Sequence, residues 1–204
     1  MLASRHDRRR LLRRGLLLEI FTVLWNVIEG VVAVAAGTVS GSVALIGFGI
    51  DSFVETASAV VVGWRLDAEL RERSAEASER FERIASRTAG ALLLLLAAYV
   101  ALAAGRRLHG FGPEARESLI GIVLTSVSLV VMPFLGWSKL RTATALNSRA
   151  LRADAYETIA CAWLSLTTLV GLALNASFGW WWADPLAALV LVPLIVREGL
   201  EGLR

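Results

Sequence analysis

Residues 42–66 read SVALIGFGIDSFVETASAVVVGWRL, an apolar run whose ionisable side chains are Asp51, Glu55 and, at its end, Arg65. Its length matches the roughly 20 residues that a helix needs to cross a bilayer. An acid near the bilayer centre costs about 2.5 to 3.5 kcal/mol on insertion scales, so two acids in one span call for a reason. Their spacing supplies it. Residues four apart on a helix lie about 6 Å apart along the axis and point to nearly the same side. Asp51 and Glu55 therefore share a face, and burial drives both towards the protonated form unless a cation neutralises them. A divalent metal ion does that most completely.

Outward from this stretch, five more apolar blocks complete a set of six spans, at about 15–37, 42–66, 88–108, 118–137, 150–174 and 180–197. The chain has 204 residues, 56% of them hydrophobic and 19% charged, with a mean hydropathy of +0.61. A soluble domain carries about a quarter charged residues. Six crossings use roughly 120 residues and leave no room for a second folded domain of ordinary size. The fold class is thus all-α: a polytopic membrane protein with six transmembrane helices, residues 15–204 forming one domain behind a basic N-terminal segment, 1–14. Ala33-Val34-Ala35 loosely resembles a signal-peptidase site, but Glu19, Asn26 and Glu29 interrupt the block before it, which reads as a retained span.

Charge sets the expected orientation. With the N-terminus in the cytoplasm, 18 of the 21 Lys and Arg residues fall on the inner side, and only Arg106, Arg107 and Arg116 outside. That bias places both termini in the cytoplasm of a cell-membrane protein and accounts for the basic pI without nucleic acid. Lys139 is counted among the inner-side cations. Residues 67–87 read as a cytoplasmic helical extension, with Glu69–Arg73, Glu76–Arg80 and Glu79–Arg83 in favourable i, i+4 order and an apolar stripe of Leu66, Leu70, Ala77, Phe81 and Ile84. Spans three and four carry no charge over most of their length and read as scaffold, with a kink expected at Pro133 of span four. Trp180, Trp181 and Trp182 suit an interfacial aromatic belt.

The fifth span repeats the spacing of the second, with Glu157 and Cys161 four residues apart. Spans two and five run in opposite directions. Asp51 lies about nine residues from the outer start of its span and Cys161 about eleven from the inner start of its own, so the two pairs reach similar depth, near the midplane. Three carboxylates and one thiolate make four ligands, a set that suits tetrahedral Zn²⁺. The competing reading of Cys161 is a small buried apolar residue. With one cysteine there is no internal disulfide, and His6 and His109 both lie outside the apolar blocks. No nucleophile–base arrangement or phosphate-binding glycine loop is visible, so an enzyme is not expected.

Ser42-Val43-Ala44-Leu45 followed by Gly47 to Glu55, Arg152-Ala153-Asp154-Ala155 followed by Glu157 and Cys161, and Ala183-Asp184-Pro185 together resemble the motifs of the cation diffusion facilitators, six-span exporters of Zn²⁺ and related metals. The resemblance covers nearly the whole chain. It departs from the family pattern at Glu157 and Cys161, where typical members carry His and Asp or two Asp. Oxygen ligands favour Mn²⁺ or Fe²⁺, while the thiolate favours Zn²⁺ or Cd²⁺. Ending at Arg204, the chain is similar to the short branch that lacks the C-terminal cytoplasmic domain, which includes vesicular zinc-efflux proteins.

The resemblance implies a homodimer joined by membrane helices, with metal ion and protons as its ligands and no prosthetic group. It makes Glu29 and Asn26 of the first span an accessory metal or proton path, with an interhelical hydrogen bond as the alternative, and Asp154 a guide for entering ions or a helix-end packing group. Asp184 reads as a helix cap at the outer face. The functional expectation is Zn²⁺ efflux by alternating access, with proton antiport through the same ligands. The alternatives are an exporter of the same fold preferring Mn²⁺ or Fe²⁺, and a non-transporting membrane partner or sensor with structural buried acids. A channel is disfavoured by the apolar flanks of both pairs.

Overall fold

The computed structural model describes residues 5–71, 75–111 and 116–203. The described residues form six helices, α1 (Arg5–Ser40), α2 (Val43–Leu70), α3 (Ala75–Leu108), α4 (Leu119–Leu146), α5 (Arg149–Phe178) and α6 (Ala183–Leu203), one for each expected span. Among the described residues, α1 (from Asp7), α2, α4 and α5 are long and apolar enough to cross a membrane.

Two-residue polar links join α1 to α2 and α4 to α5. Gly41, at φ 71°, turns the chain after α1, and Ser42 caps α2 by accepting a hydrogen bond from the Leu45 amide at 3.0 Å. Asn147, in the left-handed region at φ 53°, ends α4, and Ser148 caps α5 through the Leu151 amide. Hydroxyl caps satisfy amides that a helix start otherwise leaves without partners. α6 begins only after the three tryptophans, so the sixth helix starts three residues later than its span was drawn. Pro133 lies within a single continuous α4, and that helix runs nine residues past the expected end of its span.

The helices close into a ring in the order α1, α2, α3, α6, α5, α4 and back to α1, while α2 also touches α5 across the middle. Buried positions explain the arrangement. On α1, Leu12, Glu19, Thr22, Asn26, Glu29, Ala33 and Ser40 are buried, in steps of three and four or their sum. On α4 the stripe is Gly121, Thr125, Ser128, Met132, Leu135, Lys139 and Thr142. Such a seven-residue pattern keeps one face on a common axis. The apolar residues point the other way: Leu17, Leu24, Ile28 and Val31 of α1 and Val123, Val130, Phe134 and Trp137 of α4 are exposed. An apolar outside with polar groups inside is the pattern of helices solvated by lipid.

Close helix contact depends on absent side chains. A Cβ on Gly49 would stand 2.8 Å from the Ala33 Cβ and 2.9 Å from the Val34 amide nitrogen, so α1 and α2 meet almost backbone to backbone there. A small apolar cluster of Leu12, Val62, Leu66, Ala143, Leu146 and Leu151 ties α1, α2, α4 and α5 at the end of the bundle that holds the α2–α3 link. At that same end Glu69 pairs with Arg8 of α1 at 2.5 Å, and Asp67 with Arg71 at 2.9 Å. The side chains of Arg73, Glu76, Ala77, Glu79, Arg80, Phe81, Arg83 and Ile84 lie outside the described residues, and with them most of the expected ion-pair ladder and stripe.

Candidate functional site

Asp51 and Glu55 are both buried, on the face of α2 that looks into the ring. Across from them, α5 presents Asp154, Thr158, Cys161, Ser165 and Thr168, again in steps of three and four and all buried. Glu55 is a neighbour of both the Thr158 hydroxyl and the Cys161 thiol. Its two carboxylate oxygens are fully enclosed and find no hydrogen-bond partner among the described residues. Asp51 and Glu29 are further anionic groups around the thiol, which is free. Glu55 of α2 and Cys161 of α5 are thus neighbours across the middle of the ring. Glu157 stands at the edge of the inward face of α5 and is half-buried. Among the described residues, no three carboxylate, thiol or imidazole groups are already drawn into a ligand set for one ion.

Glu29 reaches α2 and α4 together. Its carboxylate accepts hydrogen bonds from Ser52, at 3.0 Å, and from Ser128. Asn26, one turn away and fully buried, has no hydrogen-bond partner for its carboxamide among the described residues. The expected interhelical hydrogen bond therefore exists for Glu29, and Asn26 keeps unused donor and acceptor capacity in a dry interior.

Asp154 has a partner that the sequence reading had placed elsewhere. Lys139 is fully buried, paired with Asp154 and, at 3.0 Å, with Glu19 Oε2, while also donating to Thr158 Oγ1 at 3.2 Å. The ion pairs join α1, α4 and α5. Lys139, which charge counting treats only as one of the inner-side cations, is thus buried in the bundle and paired across three helices. A lysine is tolerated in such surroundings only when acids surround it. One signal could have revealed it: Lys139 continues the buried α4 spacing by one heptad beyond Met132. Ser52 and Ser128 were missed for a different reason, because an isolated serine in an apolar span usually bonds its own helix backbone.

At the other end, Asp184 does act as a cap, but of α2 rather than of its own helix. It accepts from the Ser42 hydroxyl and from the Val43 amide at 3.0 Å, and Arg107 of α3 approaches at 3.5 Å. A carboxylate there meets both the unpaired amides and the positive end of the α2 dipole. A file of buried polar side chains accordingly runs along the α5 side of the ring, from Lys139, Glu19 and Asp154 through Thr158, Glu55 and Cys161 to Thr168 and Asn175.

Helices with apolar outer faces around a file of buried polar groups suit an ion carrier, and the family described as the cation efflux transmembrane domain matches residues 20–204. The chain belongs to the cation efflux family. It is a multi-pass membrane protein of a transporter family, the cation diffusion facilitators of the sequence resemblance. Among its cation efflux relatives, a transporter of Synechocystis sp. is 31% identical over 172 residues, covering 83% of this chain and 55% of its own. One from Methanocaldococcus jannaschii is 27% identical over 186 residues, covering 89% of this chain and 65% of its own. The cadmium, cobalt and zinc/H(+)-K(+) antiporter of Bacillus subtilis is 29% identical over 122 residues, covering 59% of this chain and 38% of its own. The chain thus spans between about half and two thirds of the length of the first two relatives.

Proposed function

We propose that the protein exports a divalent metal ion, Zn²⁺ foremost, by alternating access at Asp51, Glu55, Glu157 and Cys161, in exchange for protons. The observation that carries this reading is Glu55: a fully buried carboxylate beside the chain's one thiol, with both oxygens lacking a hydrogen-bond partner among the described residues. Leaving such a group without a partner costs several kcal/mol, which is reasonable at a site that is filled by its cargo. Because Asp51 and Glu157 are not yet gathered with Glu55 and Cys161, closing on the ion requires α2 and α5 to move against each other. Helix rocking supplies that movement and changes the side to which the site opens.

Ligands must be deprotonated to bind metal, so the entering ion displaces protons and returning protons release it. The thiolate favours Zn²⁺ or Cd²⁺, and the names of the Bacillus subtilis relative agree with those cargoes. The oxygen-rich surroundings, with Asp51, Glu29 and Glu55 about the thiol, favour Mn²⁺ or Fe²⁺ as the second reading. Placement in the cell membrane with both termini in the cytoplasm and assembly as a homodimer through membrane helices belong to the same proposal.

Flux of Zn²⁺ and Mn²⁺ into proteoliposomes that contain a metal indicator tests it. Wild-type protein is expected to carry Zn²⁺, and Asp51→Asn to fold without carrying it. Cys161→Ser separates the two metals: Zn²⁺ flux falls while Mn²⁺ flux persists if the thiolate sets the preference. Absence of flux of either ion from folded wild-type protein would return the chain to a non-transporting partner or sensor.

A further inference from the structure

Lys139 sits between two acidic side chains from different helices. Glu19 and Asp154 bring two carboxyl groups to one ammonium, and both Glu19 oxygens and Asp154 Oδ1 are buried without a hydrogen bond among the described residues. A divalent ion in place of the ammonium would balance both acids. Thr158 connects this cluster to the centre, since it accepts from Lys139 at 3.2 Å and neighbours Glu55. The cluster also sits where a stopper is needed. It lies about 10 Å along α5 from Cys161, seven residues at 1.5 Å each, towards the end that holds the α2–α3 link.

We propose that the Lys139 ammonium is a tethered cation that plugs this end of the polar file, and that an entering divalent ion takes its place between Glu19 and Asp154 before reaching Glu55 and Cys161. The direction of entry rests on the transport reading above, whereas the plug and the acid pair behind it do not. A four-carbon stem lets the ammonium swing aside without unpacking a helix. While in place it holds α1, α4 and α5 together, which keeps that end shut when no ion is present.

Cys161, as the chain's one cysteine, reports the state of the plug without any transport. A membrane-impermeant maleimide is added to the inner-end face of sealed vesicles that hold wild type, Lys139→Met, or the charge-swapped pair Lys139→Asp with Asp154→Lys. Lys139→Met is expected to label about tenfold faster or more from that face, as a locally opened site does, and at the wild-type rate from the opposite face. The swapped pair, which restores an ion pair across α4 and α5, is expected to label near the wild-type rate. Equal rates in all three proteins overturn the plug. Acceleration from both faces, or a swapped pair that stays fast, also overturns it, because Lys139 is then only holding the fold.

Titration with Mn²⁺ alone, read by the loss of its free-ion magnetic resonance signal, tests the exchange. Lys139→Met is expected to bind one more Mn²⁺ than wild type, and adding Glu19→Gln to remove that extra ion. An unchanged stoichiometry overturns the exchange even if flux measurements succeed, and a gained ion stands even if they fail.

Discussion

At the scale of single residues, the interior is decided by charges that need each other. Replacing Lys139 with Met leaves Glu19 and Asp154 buried and uncompensated, and breaking such a pair from one side costs about 3 to 5 kcal/mol. Thermal unfolding in detergent is expected to show that loss, and to show most of it recovered when Glu19→Gln and Asp154→Asn are added. Ser52→Ala is the milder test. It removes one of the two hydroxyls on Glu29 at a cost of about 1 to 3 kcal/mol in the same assay. The acids of span two and the thiol of span five were legible because ionisable groups at i, i+4 spacing have no cheap place in a membrane. Glu157 was legible as an acid but not as a half-buried one, since it lies at the edge of its helix face. The burial of Lys139 was not legible because a cation a few residues beyond an apolar block normally snorkels to the interface, and only its tertiary partners overrule that habit.

At the scale of helices, two kinds of joint hold the ring. The first is close approach, as at Gly49. There an added methyl would strike the Val34 backbone nitrogen and the Ala33 side chain, so Gly49→Ala is expected to lower stability by about 1 to 3 kcal/mol. Gly105→Ala is the control, because a Cβ there meets nothing within 4 Å, and a change within about 0.5 kcal/mol is expected. The second joint is electrostatic. Asp184→Ala deprives the α2 start of its carboxylate and Arg107 of its partner, with an expected loss of about 1 to 2 kcal/mol. All six helices could be read from hydropathy. Their ends were harder: α4 extends nine residues beyond its apolar block, because Lys139 and Thr142 stay on the buried stripe although the surrounding sequence turns polar. The ring order was not legible, since it depends on which small residues meet across helices.

At the scale of the whole molecule, two clusters at opposite ends of the bundle bracket the site between α2 and α5. One joins α1, α4 and α5 through Lys139, the other α2, α3 and α6 through Asp184. Each ion-pair cluster joins three of the described helices, and no helix takes part in both. Metal affinity is expected to fall as pH drops from about 8 to about 5.5, since each ligand must lose its proton to bind; a flat titration would count against proton exchange. The central claim is that side chains from α2 and α5 meet on one ion, and X-ray absorption at the zinc edge of the loaded protein tests it most directly. The account predicts one sulfur at about 2.3 Å with three oxygens at about 2.0 to 2.2 Å, and loss of the sulfur in Cys161→Ser. A shell of oxygen alone, or a spectrum that Cys161→Ser leaves unchanged, would contradict it.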